Sequence, residues 1–223
     1  YENSTYRLPI NFESKELYKF FPFSRSNQNK LYVYFSRIFD VGFSVLGLLG
    51  FFLIAPILWL VNLIANRGSF FYSQERVGKN GIPFTIYKLR TMVQDAEKNG
   101  AVFATVGDAR ITPFGKFLRK TRLDELPQFI NVLKGEMAII GPRPERPVFV
   151  TEISAIIPLY QTRHVIKPGL TGWAQVNYSY GSNLEDSLMK LRYDLYYIKH
   201  RSIFLDINIM IKTISTILFY RGQ

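Results

Sequence analysis

VGFSVLGLLGFFLIAPILWLVNLIAN, residues 41–66, runs for 26 residues without a charged side chain. As a straight helix it would reach roughly 39 Å, enough to cross the hydrocarbon core of a bilayer. Pro56 lies inside the run, where the missing N–H and the ring bend a helix. Basic residues flank both ends, Arg25, Lys30 and Arg37 before it and Arg67, Arg76 and Lys79 after it. Lys and Arg favour the cytoplasmic side, so flanks of one sign predict that both ends face the cytoplasm. The segment is therefore expected to enter the membrane, break near Ala55-Pro56 and leave by the same face, as a re-entrant helix. An ordinary transmembrane helix with a proline kink is the commoner structure for such a run. Its length argues against a buried helix of a soluble protein.

Working outward, the 223 residues allow one domain with its own core. The expected division is 1–33 as linker and interfacial segment, 34–67 as the membrane-inserted helix, and 68–223 as a catalytic domain. Within the first part, Ser14 to Phe21 is amphipathic and stops at Pro22. The chain opens on Tyr1 rather than Met, so an upstream portion is expected. No cleavable signal peptide is evident, because the apolar block starts some way in and lacks a small-residue cleavage pattern. With 28 Lys and Arg against 17 Asp and Glu, the formal charge of +11 points to anionic partners: nucleic acid, anionic lipid or phosphorylated substrates. There is no Cys, which excludes a thiolate zinc site and a cysteine nucleophile.

Beyond Gly68 the pattern changes to an α+β alternation. Ser69 to Val77 and Pro83 to Met92 are rich in aromatic and β-branched residues, and Asn80-Gly81 between them predicts a hairpin. Thr112-Pro113 reads as an N-cap with proline at the first helical position, opening a short basic helix through Lys120. Further helices are expected over Glu125 to Lys134, ending at Gly135, and over Val148 to Ile157 and Asp186 to Lys199. The tail, Ile203 to Phe219, has apolar residues at close to helical spacing and is read as an amphipathic helix that either lies on the membrane, the reading favoured slightly, or closes the core.

In FLRKTRLDELPQFINVLKGEM, Pro127 suits the first turn of a helix and places Asp124 and Glu125 at its N-terminal edge. Unpaired N–H groups there favour a carboxylate or a phosphate. An ionised Asp is a competent nucleophile toward phosphorus once its charge is screened, and Arg119, Lys120, Arg122 and a divalent cation could screen it. Helix caps and a solvated acidic face are the plain alternatives. In GPRPERP the three prolines hold Arg143 and Arg146 with little entropy left to lose, and guanidinium forks match phosphate oxygens. Lys88 and Arg90 share one strand face by period two, and either point together at an anion or form the exposed face of a hairpin.

Four stretches taken in order, QERVGKNGIPFTIYKLRTM, ITPFGKFLRKTRLDELPQFINVLKGEMAIIGPRPERP, KPGLTGWAQV and LRYDLYYIKHRSIFLDI, give the chain its resemblance to a known family. From Tyr34 to Gly222 it resembles the bacterial sugar transferases, the monotopic phosphoglycosyl transferases of polysaccharide and glycoconjugate assembly. The resemblance implies that Asp124 attacks the sugar-linked phosphate of a nucleotide sugar, most simply a UDP-sugar. Nucleoside monophosphate leaves, and the phosphosugar passes from the carboxylate to polyprenyl (undecaprenyl) phosphate. It implies Mg²⁺ held at Asp124 and Glu125, with Glu125 as base or metal-site partner. Lys88, Arg119, Arg143 and Asp194 match positions around the substrate, and Arg90, Arg146 and Gln175 join the substrate-binding set. The implied setting is the cytoplasmic face of a bacterial inner membrane, with membrane lipid as a partner and a homodimer possible. Small members of the family often have Ser-Pro at the helix break, where this chain has Ala55-Pro56, and alanine offers no hydroxyl to the freed carbonyl.

Two other function classes remain to compare. A non-catalytic basic module could grip lipid or nucleic acid, but no RNP-like sequence, zinc spacing or clear helix-turn-helix is present, so nucleic acid is not expected. A glycosyltransferase that moves the sugar alone is disfavoured by the absence of a βαβ nucleotide-binding pattern or an isolated DxD motif.

Overall fold

The computed structural model describes residues 30–98, 100, 102, 107–157, 159–178 and 183–218. The amphipathic stretch Ser14 to Phe21 lies outside them. Helix α1, Lys30–Ala65, takes in all but the last residue of the apolar block as one 36-residue helix that runs on through Pro56, so the break expected at Ala55-Pro56 does not interrupt it. Only a narrow stripe is buried: Asp40, Ser44, Phe51, Leu58 and Asn62, at steps of four or seven residues, so one face meets the rest of the protein. The opposite face is bare and apolar, with Leu53 and Ile64 exposed at 80% and 83%. Gly47 lies under the Phe129 ring, and a Cβ at that position would collide with it.

Both ends of α1 are bonded to the globular part. At the leading end the Tyr32 hydroxyl donates to Asp206 at 2.6 Å, and Arg37 donates to the carbonyls of Val132 and Leu133 at 2.7 and 2.8 Å. The Asp40 carboxylate accepts from the Ile139 N–H at 2.9 Å. At the trailing end Asn62 donates to the Gly68 carbonyl and Asn66 to that of Arg90.

The expected hairpin forms. Strands β1, Phe71–Val77, and β2, Pro83–Leu89, pair antiparallel with Phe71 opposite Leu89 and Val77 opposite Pro83. The connection is a 3₁₀ turn over Lys79–Gly81 in which Asn80 and Gly81 both have positive φ, the conformation that makes Asn-Gly a hairpin signal. The outer edge of β2 is closed by Asn131. Its amide accepts from the Tyr87 N–H and donates to the Thr85 carbonyl, so a side chain stands where another strand would.

Helix α2, Pro113–Thr121, has the expected cap, with the Thr112 hydroxyl accepting from the Gly115 N–H at 2.9 Å. The next stretch departs from expectation. In place of one helix from Glu125, a 3₁₀ turn covers Leu123–Gln128 and a short helix, α3, covers Phe129–Lys134 before Gly135. Arg122, with φ 59°, ends α2 in the left-handed region and turns the chain into the 3₁₀ segment. Asp124 and Glu125 thus lie in the first turn of a six-residue 3₁₀ segment, not at the N-terminus of a longer helix. A dipole from so short an element adds little, so the charge of the pair must be met by side chains.

The rest of the domain comprises β3 (Ala138–Ile140), α4 (Pro147–Ile156), a 3₁₀ turn (Tyr160–Val165), β4 (Gly169–Thr171), α5 (Trp173–Asn177), α6 (Leu184–His200) and α7 (Ile203–Leu218). Strands β3 and β4 pair parallel, Ala138 with Gly169 and Ile140 with Thr171. This contact needs glycine: a Cβ on Gly169 or Gly172 would strike the backbone of Gly141. Helix α7 turns Ile209 into the core and leaves Ile203, Phe204, Ile207, Ile211 and Ile214 exposed.

Because Asn131 supplies the hydrogen bonds of an absent strand, Asn131→Leu leaves two backbone groups of β2 unpaired. The substitution is expected to cost on the order of 2–4 kcal/mol, read as a lowered thermal midpoint of the detergent-solubilised protein. A midpoint unchanged from the parent contradicts the edge-closing role.

Candidate active site

Glu125 is 8% exposed and is met by cations from three elements. Lys88, on β2, reaches Oε1 at 3.1 Å; Arg143, in the GPRPERP turn, reaches the same oxygen at 3.4 Å; Arg122 lies 3.8 Å from Oε2. Burial alone would push the Glu125 carboxyl up, but Lys88, Arg143 and Arg122 outweigh it and hold it well below the ordinary range. Lys88 is itself held down by burial, against the pull of Glu125.

Asp124 is as buried, at 7% exposure, and differs in one respect: its Oδ1 has no hydrogen-bond partner. Burial first, and the Glu125 charge second, push its carboxyl up to about 6, against the pull of Lys88, Arg119 and Arg122. The two neighbours are thus driven apart, one held ionised by a cation cluster and one poised to lose its proton near neutrality. Arg119 is fixed by donating from Nε to the Thr91 hydroxyl at 2.9 Å. Gln128, later in the same 3₁₀ turn, is 2% exposed, and its amide nitrogen is also without a partner.

The structure therefore gathers Lys88, Arg119, Asp124, Glu125 and Arg143 and adds Arg122. The other candidates lie in different settings. Arg90, 7% exposed, donates to the carbonyls of Ser69 and Asn66 at 2.7 and 2.8 Å, tying the end of α1 to the hairpin. Its side chain is buried, whereas the period-two pattern allowed either an anion-facing pair or an exposed face. Arg146 forks onto the Glu97 carboxylate at 2.7 and 3.1 Å. Gln175 donates to the Leu170 carbonyl and lines a cavity of about 380 Å³ with Asn177, Tyr178, Lys212, Ser215 and Thr216. Asp194 is fully buried and paired with Arg163 at 2.7 Å, and burial pushes its carboxyl up to about 6 despite that partner. Arg163 carried no signal in the sequence, since TRHVIK is an ordinary loop composition.

Among the described residues no three His, Cys, Asp or Glu gather as a metal cage. Mg²⁺ does not need one, because it is commonly held by one or two carboxylates with phosphate oxygens and water completing the shell. The unpartnered Oδ1 of Asp124 is the oxygen free to serve, while those of Glu125 already face cations. The donor set fits a magnesium ion shared with a phosphorylated ligand.

A long apolar helix fused to a small α+β domain, with a buried carboxylate pair ringed by cations, defines a membrane-associated domain with an anion-handling site. The chain belongs to the bacterial sugar transferase family, whose signature covers residues 31–220. It is 50% identical over 155 residues to the UDP-N-acetylgalactosamine-undecaprenyl-phosphate N-acetylgalactosaminephosphotransferase of Aeromonas hydrophila, covering 70% of this chain and 37% of that protein. Over 141 residues it is 45% identical to a putative undecaprenyl-phosphate N-acetylgalactosaminyl 1-phosphate transferase of Bacillus subtilis, 63% of this chain and 79% of that one. The UDP-glucose:undecaprenyl-phosphate glucose-1-phosphate transferase of Klebsiella pneumoniae is 38% identical over 198 residues, 86% of this chain and 42% of that one. The chain thus spans well under half the length of the Aeromonas and Klebsiella proteins.

Infrared difference spectroscopy across a pH titration is expected to find two carboxyls with midpoints of about 6, Asp124 and Asp194, of which the Asp124 signal is lost in Asp124→Asn. Lys88→Met, which removes a stabilising cation, should move the Asp124 midpoint upward. An Asp124 midpoint near 4, the ordinary range for Asp, contradicts the burial argument.

Proposed function

We propose that the chain is a phosphoglycosyl transferase that moves a sugar 1-phosphate from a UDP-sugar to undecaprenyl phosphate through a covalent intermediate on Asp124. The observation that carries this reading is the unpartnered, buried Asp124 Oδ1 beside a Glu125 already neutralised by Lys88, Arg143 and Arg122. One carboxylate is left with an oxygen to give, and the cations around it are placed to receive phosphate oxygens. The names of the Aeromonas, Bacillus and Klebsiella relatives supply the substrate classes.

In the first step an Asp124 oxygen attacks the sugar-linked phosphorus. The bond from that phosphorus to the bridging oxygen breaks, UMP leaves, and the phosphosugar stays as an acyl phosphate on Asp124. In the second step an oxygen of undecaprenyl phosphate attacks the same phosphorus, the aspartyl oxygen departs, and undecaprenyl diphosphosugar is released with Asp124 restored. Phosphoryl transfer of this kind asks mainly for positioning and charge neutralisation. Lys88, Arg119, Arg122 and Arg143 supply the neutralisation, and Mg²⁺, which Asp124 would hold beside Glu125, would add a divalent charge against the diphosphate. Glu125, held so far below the usual carboxylate range, is a poor proton acceptor and serves to fix the cations around the nucleophile.

The setting follows from α1. A helix that crosses a bilayer has ends on opposite faces, roughly 30 Å of hydrocarbon apart. Here Tyr32, Arg37 and Asp40 at one end and Asn62 and Asn66 at the other are all bonded to the same domain. That supports a re-entrant, one-sided insertion, with the site at the headgroup level where a soluble sugar nucleotide and a lipid phosphate both arrive. The positive flanks favour the cytoplasm for that face, which supports an inner-membrane setting.

With undecaprenyl phosphate in detergent, UDP-N-acetylgalactosamine or UDP-glucose is expected to yield UMP and a lipid-linked phosphosugar; UDP as product marks transfer of the sugar alone and overturns the reading. Asp124→Asn should abolish turnover, and rapid quenching should trap the phosphosugar on Asp124; its recovery on another residue removes Asp124 as nucleophile. Because Asp124 must be ionised to attack, the rate should fall as pH drops through about 6. Cysteines placed at Lys30 and Arg67 should label from the same membrane face, and labels on opposite faces rule out re-entry.

A further inference from the structure

The GPRPERP turn, residues 141–147, has four consecutive carbonyls that are each held from outside it. Pro142 accepts from the Gly169 N–H at 2.8 Å and Glu145 from the Val77 N–H at 2.9 Å. Pro144 accepts from Arg76 at 3.1 Å, and Arg143 accepts from Nη2 of Arg163 at 3.0 Å. Three of the seven residues are prolines and bring no N–H, so the turn depends on such donors.

The donor to Arg143 is unlike the others. Arg163 is 3% exposed, its Nη1 donates to the Tyr160 hydroxyl at 2.7 Å, and its charge is met by Asp194, 1% exposed, on α6. Leu191 and Leu195, next to Asp194 along α6, belong to an apolar cluster with Phe149, Ile153 and Tyr160. Burying two charges there costs several kcal/mol per ion, and a well-packed apolar pair of similar volume is often as stable or more so. An apolar pair, however, cannot hold the carbonyl of Arg143. On the far side of that same residue, the Arg143 guanidinium reaches Glu125.

We propose that Asp194 and Arg163 are positioning residues: buried away from the substrate, they fix the backbone of Arg143 so that its guanidinium meets Glu125 and the transferred phosphate. This assigns Asp194 a role different from the substrate contact expected from the sequence. It rests on the phosphoglycosyl transferase reading. Asp194 neutralises and orients Arg163, Arg163 holds the Arg143 carbonyl, and the prolines on either side convert a held carbonyl into a held side-chain origin.

The test is a cycle of variants in the full chain, read as UMP release with the UDP-sugar that supports transfer. Arg163→Met with Asp194→Leu removes both charges together and is expected to retain the thermal midpoint within a few degrees. Its turnover should fall about a hundredfold, the loss that a displacement of about 1 Å brings in a site of this kind. Combined with Arg143→Ala, the same pair of changes should cost almost nothing further, because the residue they serve is gone. An additive loss in the Arg143→Ala background, which a direct substrate contact by Asp194 would produce, overturns the proposal, as does full turnover in the Arg163→Met, Asp194→Leu protein. If that protein does not fold, Asp194→Asn enters the same cycle with the same two outcomes. Absence of UMP release from the unaltered chain counts against the transferase reading itself, and so is distinguishable from failure of this one.

Discussion

Glu125 and its three cations hold the site together. Lys88 comes from the hairpin, Arg122 from the junction between α2 and the 3₁₀ turn, and Arg143 from the proline-rich turn, so one carboxylate ties three separate parts of the chain. A buried Glu would ordinarily tend to protonate, and a buried Lys to lose its proton; each makes the charge of the other tolerable. The same cluster decides what Asp124 can be. With the cations drawn toward Glu125, Asp124 retains a bare oxygen and a proton affinity near neutrality, and is not drawn into an ion pair of its own as Glu125 is.

The parts legible in the sequence were those governed by local rules. The apolar run gave α1 through its unbroken side-chain composition, while Asn80-Gly81 gave the hairpin and Thr112-Pro113 the start of α2 through backbone chemistry confined to a few residues. The helix expected from Glu125 did not form as one piece, because Arg122 adopts a left-handed conformation that no pattern announced and the chain tightens into 3₁₀ before α3. The parallel pairing of β3 with β4 was illegible for a different reason. Two three-residue strands carry no periodicity, and only the glycines of KPGLTGW hint at a close backbone approach.

Among the site residues, sequence order could list basic side chains but could not say which would share a carboxylate. Lys88 and Arg90 stand two apart on β2 and its end, yet Lys88 meets Glu125 while Arg90 is drawn to the carbonyls of Ser69 and Asn66. Arg143 and Arg146 are separated in the same way, one to Glu125 and the other to Glu97. These divisions depend on where long-range packing leaves an unpaired oxygen. Arg163 was invisible for the same reason: its partners, Tyr160, Asp194 and the Arg143 backbone, come together only in the folded domain.

The outside anchoring of the GPRPERP turn also has a consequence for the order of assembly. With its carbonyls held by Val77 and Arg76 from the hairpin, by Gly169 from β4 and by Arg163 from the 3₁₀ turn, Arg143 acquires its position only after segments from both halves of the sequence have met. Closing such distant contacts is the slow part of folding. A nascent domain lacking its C-terminal half therefore has Asp124 and Glu125 in sequence but no Arg143 fixed beside Glu125, so the cation cluster around the carboxylate pair closes only after the later segments have docked.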